Sequence, residues 1–254
     1  MAQDRLRLDL LLVNRGLYKT RSRSRDAISR GCVQVAGTIV SKPGALYDEG
    51  ARIEVDDPAI AFVSRASLKL LHALKISNYS PRGKICLDVG ASTGGFSQVL
   101  LDRGARMVFA LDVGHGQLDP LLGNDDRVIE LSGLNARELK STHLNNLQPE
   151  FLVSDVSFIS LKLALPAALD IAADGAKGLF LIKPQFEVGR ENLGKGGIVR
   201  NLTTARAAAD NVCEWLSEVA GWHIDELMPS PIEGSDGNHE FIVAAGKPGV
   251  ALDE

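Results

Sequence analysis

From residue 85 onward, short apolar runs alternate with longer amphipathic ones, and several of the apolar runs finish on an ionisable side chain. ICLDVG, RMVFALDVG, VIEL, FLVSDVSF, GLFLIKP and HEFIVAAG read as strands. GGFSQVLLDRG reads as a helix stopping at Gly104, and LKLALPAALDIAA as a helix interrupted by Pro166. TTARAAADNVCEWLSEVAGW reads as a longer helix with Ala208, Val212, Trp215, Leu216 and Val219 on one face. Strands alternating with helices define an α/β domain with a mostly parallel sheet. Such sheets bind ligands outside the carboxyl ends of their strands. Asp88, Asp112, Asp155 and Lys183 all stand at such ends. Any one of them alone reads as a cap or a loop residue, and Lys183 alone as a snorkelling side chain. Four at corresponding positions outline a site.

The first 57 residues follow another pattern. RLDLLLVNRG reads as a short helix with Leu6, Leu10 and Val13 on one side. YKTRSRSRDAISRG reads as a second helix opened by Thr20 or Ser22 and closed by Gly31. VQVAG, TIVSKPG and ARIEVDD read as short strands with Gly/Pro turns. The expected organisation is a small α+β domain at 1–58, a linker at 59–64 and the α/β domain at 65–250. Charge divides the same way. Residues 1–43 hold nine Lys/Arg against three acids, a net of +6, and the whole chain is −4, which leaves −10 for the rest. A basic head on an acidic body suits a polyanionic partner, or is a solvated basic face. Arg21, Arg23 and Arg25 crowd the start of the second helix. With Arg7 and Lys42 they are candidates to grip phosphates, contacts that position a nucleic acid without reading its sequence.

CLDVGASTGGFSQVLLDRG runs strand, Gly-rich turn, helix. Gly90, Gly94 and Gly95 permit close approach of backbone to a ligand, and the turn also offers Ser92, Thr93 and Phe96. Asp112, followed by Val113, ends the next strand, where an acid accepts hydrogen bonds from ribose hydroxyls. A dinucleotide would want a helix N-terminus without a carboxylate, for its pyrophosphate. Here the turn is D-x-G-x-x-x-G-G, with Asp88 in the strand end. S-adenosylmethionine has no phosphate and is cationic at its amino group and sulfonium, so it suits these acids better. Asn135, after the third strand, is a candidate contact for the adenine edge or a loop-capping Asn.

Taken together, DVGASTGGF, IKPQFE, GKGGIVR and GNHEF resemble the TlyA-type RNA methyltransferases, also labelled hemolysin A, within the FtsJ-like 2′-O-ribose methyltransferases. The head, RLDLLLVNRG to TIVSKPG, resembles the alpha-L RNA-binding domain first seen in a small-subunit ribosomal protein. The resemblance spans nearly the whole chain. It implies a Rossmann-like methyltransferase domain that uses S-adenosylmethionine, and a Lys-Asp-Lys-Glu tetrad matching Lys69, Asp155, Lys183 and Glu240. The chain departs from the family pattern at Ala66 and Ser67, where two glycines are usual. The resemblance further implies a cytidine of ribosomal RNA as target, presented by a ribosomal subunit or ribosome.

These residue types suit the chemistry. A ribose 2′-hydroxyl is a weak nucleophile that must lose its proton as it attacks a methyl group. A lysine helps as base only if its neutral form is reachable, which burial and a second cation favour and carboxylates oppose. Lys183 is therefore expected nearest the hydroxyl, as base or oxyanion stabiliser, with Lys69 tuning it and Asp155 and Glu240 orienting the lysines. Positioning of methyl and hydroxyl supplies the rest. At Asp155 the run Asp155-Val156-Ser157-Phe158 lacks the Pro-Pro-aromatic of base-amine methyltransferases. The stretch GRENLGKGGIVR reads as a substrate loop or a plain connector.

Other classes fit less well. No apolar run is long enough to cross a bilayer, and no leader-like cleavage site follows the N-terminal apolar patch. Three scattered cysteines, Cys32, Cys86 and Cys213, suggest neither a disulfide framework nor a zinc site, and a reducing cytoplasm is expected. None of the five histidines has metal-ligand spacing, so no metal is expected. Rival readings are a membrane-active hemolysin, an inactive RNA-binding or assembly factor, and a nicotinamide-dependent oxidoreductase. Oligomeric state is open.

Overall fold

A computed structural model describes residues 5–234 and 236–249; the acid Asp4 and the domain end at residue 250 lie outside the described residues. The chain divides into two compact units, Met1–Ala61 and Phe62–Glu254. In the first, β1 (Arg5–Arg7) leads into α1 (Leu8–Asn14) and α2 (Arg21–Ser29). Strands β2 (Val33–Val35), β3 (Thr38–Ile39), β4 (Leu46–Asp48) and β5 (Ile53–Val55) follow. Strands β3, β2 and β5 form one small sheet, and β1 pairs with β4 in another. Thr20 caps α2, its hydroxyl accepting from the Arg23 N–H at 3.3 Å. Leu8, Leu12, Tyr18, Ala27, Ile28, Val33 and Val35 form the core.

Here the expected helix face is wrong. Leu6, Leu10 and Val13 are only half-buried, and the buried apolar side chains are Leu8, Leu11 and Leu12. The cause is β1. Pairing of Leu6 with Tyr47 takes Arg5–Arg7 out of the helix, so the helical phase starts at Leu8. Such pairing is non-local and leaves no trace in the local periodicity.

The large unit opens with α3 (Ser67–Ser77), which the pattern reading left unassigned. There follow β6 (Ile85–Val89), α4 (Gly95–Asp102), β7 (Met107–Asp112), α5 (Pro120–Gly123) and β8 (Val128–Ser132). Next come β9 (Phe151–Ser154), α6 (Leu161–Ala164), α7 (Pro166–Ile171), β10 (Lys177–Ile182) and α8 (Pro184–Glu187). The last elements are α9 (Leu202–Glu218), β11 (His223–Pro229) and β12 (Phe241–Gly246). Pro166 separates α6 from α7, as expected of a residue that cannot continue a helix ladder. On α9 the buried face is Ala205, Ala208, Ala209, Val212 and Leu216. Trp215 is only half-buried and Val219 is 74% exposed, because the helix ends at Glu218.

The seven strands lie in the order β11-β12-β10-β9-β6-β7-β8. All neighbours from β10 through β8 are parallel, and β12 runs antiparallel between β10 and β11. Successive strand residues point to opposite faces. Leu87, Phe109, Leu152 and Phe180 therefore meet α6, α7 and α9, while Cys86, Val108, Phe151 and Leu181 meet α3 and α4. Both faces are covered, which is why the strands read as near-continuous apolar runs. Chain order runs outward from β6 through β7 to β8, then restarts at β9 and runs the other way. The carboxyl ends of β6 and β9 flank this reversal, the point at which open α/β sheets hold their ligands.

Candidate active site

Asp88 lies on the same face of β6 as Cys86, so the turn after the strand folds α4 over it. Its Oδ2 accepts a 2.7 Å hydrogen bond from the Ser97 hydroxyl. Its Oδ1 is buried with no partner among the described residues. Burial pushes its pKa up to about 7, with Ser97 opposing and Asp155 and Asp112 adding to the rise. Gly90 has φ +85, and a Cβ there would come within 3.0 Å of the Asp155 carbonyl oxygen and of Val156. The turn can thus approach the β9 end only as glycine. The two glycines at 94 and 95 meet different neighbours. A Cβ on Gly94 would fall 2.2 Å from Leu122 of α5, and one on Gly95 2.8 Å from Ser64. Gly94 serves the turn and its packing, while Gly95, Ser92, Thr93 and Phe96 line a small cavity of about 150 Å³ that reaches Asp155 and Lys183. Asp112 accepts from two backbone N–H groups, Ser92 and Gly114, each at 2.8 Å.

Two larger clefts, each about 460 Å³, adjoin this cavity, within the range of small-molecule sites. One is mainly aliphatic. Leu111, Val113, Val156, Ile159 and Ala164 line it, with Asp112 and Asn135. Val113 presents an exposed side chain there. Asn135 does cap the short helical turn after it, its Oδ1 accepting from the Arg137 N–H at 3.1 Å. The other cleft is ionic, lined by Arg65, Lys69, Asp155, Lys183, Gln185, Asp236 and Glu240 together with Phe158 and Phe186. Asp155, Ser157 and Phe158 belong to both clefts.

The four candidate tetrad residues converge in the ionic cleft as two ion pairs. Lys183 Nζ lies 2.6 Å from Asp155 Oδ1 and donates to the Ser157 hydroxyl at 2.7 Å. Lys69 Nζ lies 2.6 Å from Glu240 Oε2. The first pair keeps some exposure, 12% and 15% at its side chains, whereas the second is at 6% and 2%. Burial raises the Glu240 pKa, and Lys69 holds it down. Ala66 and Ser67 do not disturb Lys69. Ala66 has φ −55, which needs no glycine, and the Ser67 hydroxyl donates to the Gly95 carbonyl at 2.8 Å. That bond docks α3 on the Gly-rich turn. Glu187 braces the other side, accepting from the Ser160 hydroxyl at 2.6 Å and the Leu161 N–H at 2.8 Å.

Several residues of the site went unread in the sequence. Ser157 sits in the motif already marked by Asp155. Phe158 stands 91% exposed at φ +66, an uncommon backbone for an aromatic residue. It packs at 5.4 Å between ring centroids against Phe186. Asn238, inside GNHEF, is buried and makes three side-chain hydrogen bonds. Ser97, the partner of Asp88, could have been found from its place in the first turn of α4.

In the small unit the arginines are less free than their sequence suggests. Arg7 donates twice to Asp9 at 3.0 Å, and Arg21 once at 2.9 Å. Asp9 is fully buried, and these hydrogen bonds hold its pKa down at about 2 despite burial. Arg23 donates to the Ala59 carbonyl at 3.0 Å. Arg7 and Arg21 remain about half exposed, while Arg25 and Lys42 are exposed. A second buried cluster holds Asp57, which accepts from Arg30 (2.9 and 3.0 Å), Tyr18 (2.9 Å) and the Ala59 N–H (2.9 Å). Among the described residues, no group of three or more His, Cys, Asp or Glu is placed to hold a metal ion. No helix there is long and apolar enough to cross a membrane.

Residues 62–247 match the FtsJ-like methyltransferase family and residues 6–53 the S4 domain. With the sheet order and the site at its reversal point, the large unit is a methyltransferase domain and the chain an enzyme. The chain is 41% identical to the 16S/23S rRNA (cytidine-2′-O)-methyltransferase TlyA of Mycobacterium tuberculosis, over 94% of its own length and 89% of that protein's. It is 38% identical to Hemolysin A of Brachyspira hyodysenteriae, over 93% and 98%. A solved structure from Streptococcus thermophilus that carries a hemolysin name superposes with TM-score 0.76 at 38% identity, over 97% and 90%. The chain belongs to the TlyA/hemolysin A-type family of FtsJ-like methyltransferases.

Proposed function

We propose that the chain transfers a methyl group from S-adenosylmethionine to a ribose 2′-hydroxyl of ribosomal RNA, with cytidine as the target nucleoside. One observation carries this reading. An aliphatic cleft and an ionic cleft meet at Asp155 and Ser157, and Lys183 stands at the junction. One cleft suits an adenosine and the other a polar acceptor. The cofactor also fits on its own terms. Asp88 offers a buried carboxylate oxygen with no partner among the described residues, Gly90 leaves space that a Cβ would close, and Asp112 stands where ribose hydroxyls are held. Asp88 and the turn would hold the cationic methionine end. Asp112, Val113 and Asn135 would hold the nucleoside. When bound, this cofactor supplies an electrophilic methyl on a sulfonium.

The chain's own residues then handle the acceptor. The ribose 2′-hydroxyl would be the nucleophile toward that methyl, and it must give up its proton as its oxygen attacks. Lys183, oriented by Asp155 and Ser157, would take the hydroxyl proton as a neutral amine, or as an ammonium would stabilise the forming oxyanion while the proton passes to solvent. Lys69 and Glu240 set the field behind it. Phe158 and Phe186 offer ring faces for a base drawn out of its stack. Most of the acceleration comes from alignment of hydroxyl and methyl. In this reading the S4 domain docks on structured RNA through Arg7, Arg21, Arg23, Arg25 and Lys42, largely by shape and phosphate contacts. It places the enzyme with ribosomes in the cytoplasm.

The test is transfer of labelled methyl to purified small and large ribosomal subunits and to whole ribosomes, with wild type and Lys183→Ala. Alkali-resistant label at one ribose, absent with the variant, is the expected result. Tight cofactor binding with no label on any of the three substrates would refute the RNA substrate.

A further inference from the structure

We infer that Asn238 is a positioning residue that locks the Gly-rich loop 189–200 to the chain segments carrying Glu240 and Gln185. The inference rests on the methyl-transfer reading for its kinetic part and on geometry for the rest. Asn238 is 1% exposed. Its Oδ1 accepts from the Val199 N–H at 2.9 Å. Its Nδ2 donates to the Gly197 carbonyl at 3.2 Å and to Asp236 Oδ2 at 2.8 Å. The same Asp236 oxygen accepts from Gln185 Nε2 at 3.2 Å.

Asn238 directly, with Asp236 as its relay to Gln185, therefore joins three stretches of chain. The first is GKGGIVR, whose tip at Gly196 and Gly197 has φ +78 twice and whose base is closed by the Leu193–Val199 bridge. The second is the start of α8, where Gln185 follows Lys183 by two residues. The third is the approach to β12, where Glu240 follows Asn238 by two residues. Glu240 pairs with Lys69 and Lys183 with Asp155, so both halves of the ionic cleft are tied to one amide. A buried amide whose oxygen and both N–H donors are engaged is worth more to geometry than to net stability, since its bonds replace bonds to water. Its loss lets the loop rise and Glu240 and Gln185 shift. A shift on the order of 1 Å in such a site costs on the order of 100-fold in rate.

The amide is required, and isosteric change tests it. In Asn238→Asp the acceptor for Val199 survives, both donors vanish, and two carboxylates face each other. The swap Asp236→Asn with Asn238→Asp restores a donor between the two positions without adding charge. Three quantities are read for wild type, single variant and swap: kcat and KM for methyl transfer to ribosomal subunits, calorimetric affinity for S-adenosylmethionine, and hydrogen exchange at the Val199 amide. Asn238→Ala serves the exchange measurement, because it removes the acceptor. We expect Asn238→Asp to lower kcat about 10- to 100-fold with KM and cofactor affinity nearly unchanged, the swap to recover most of kcat, and Asn238→Ala to expose Val199 to exchange. Retained kcat in the folded single variant overturns the proposal, as do kcat and KM worsening together and a swap that recovers nothing. Unchanged Val199 protection in Asn238→Ala overturns the lock itself. A wild type that labels no RNA would instead count against the methyl-transfer reading, since the exchange result stands without it.

Discussion

The two units bury their carboxylates in opposite ways. In the small unit Asp9 sits between two arginines and Asp57 between Arg30, Tyr18 and a backbone N–H. Both pKa values are lowered although burial opposes it. In the large unit Asp88 and Glu240 are raised, burial being the first cause in each. Asp88 keeps an oxygen with no partner among the described residues. A carboxylate with all its partners in place stabilises the folded chain. One that lacks a partner costs stability until a ligand arrives. The small unit is thus built around its acids, while the large unit keeps its acids for something else.

Four measurements can break or sharpen this contrast. The largest effect is expected from Lys183→Ala. Methyl transfer should fall on the order of 1,000-fold, with calorimetric cofactor binding and thermal unfolding little changed; a comparable loss of stability would place Lys183 with the structural ions instead. Next, Asp57→Ala should destabilise the small unit by about 3 kcal/mol, because a largely buried Arg30 keeps only the Asp26 carboxylate and the buried Tyr18 hydroxyl loses its acceptor. Denaturant unfolding followed by amide exchange in residues 5–57 reads this, and a loss below about 1 kcal/mol would end the contrast.

The third measurement is pH. Asp88 has a folded pKa of about 7, above the ordinary carboxylate value, so the folded state holds its proton where the unfolded state has lost it. Its ionisation therefore costs stability progressively as pH rises from about 4 to about 7. Asp88→Asn should raise Tm at pH 8 and leave it nearly unchanged at pH 4. Affinity for the cationic cofactor should rise through pH 7 in wild type and be flat in the variant. Asp9 has the opposite sign. Its contribution is whole above about pH 4 and is lost as pH falls towards about 2. Parallel pH profiles for the two units would contradict the assignment. The smallest effect concerns Arg25 and Lys42. Alanine at either should weaken RNA binding severalfold and reduce the slope of log affinity against log salt by about 1.

Much of the large unit was legible, because a doubly covered parallel strand writes itself as an apolar run and its carboxyl end as a change of residue type. Asp88, Asp112, Asp155 and Lys183 were found that way. Lys69 and Glu240 were not readable from pattern at all, since one lies in a helix without strong caps and the other precedes an antiparallel strand; family likeness supplied them. Asn238 and Gln185 escaped because their importance lies in partners distant along the chain. The same blindness misplaced the α1 face, where the partner strand β4 lies some forty residues away. Arginines looked uniformly available because sequence records charge and not the carboxylate that already holds it.

The antiparallel setting of β12 has a bearing on biosynthesis. Its reversal is what brings Glu240, just before the strand, to the same edge of the sheet as the carboxyl ends of β6, β9 and β10. The segment that supplies the fourth charged group is therefore translated long after the small unit has emerged complete. Domains of a growing chain fold in order of synthesis. On the reading proposed above, a half-made molecule could already hold RNA while its reaction centre was missing a wall, and only the arrival of β12 in the sheet would arm it.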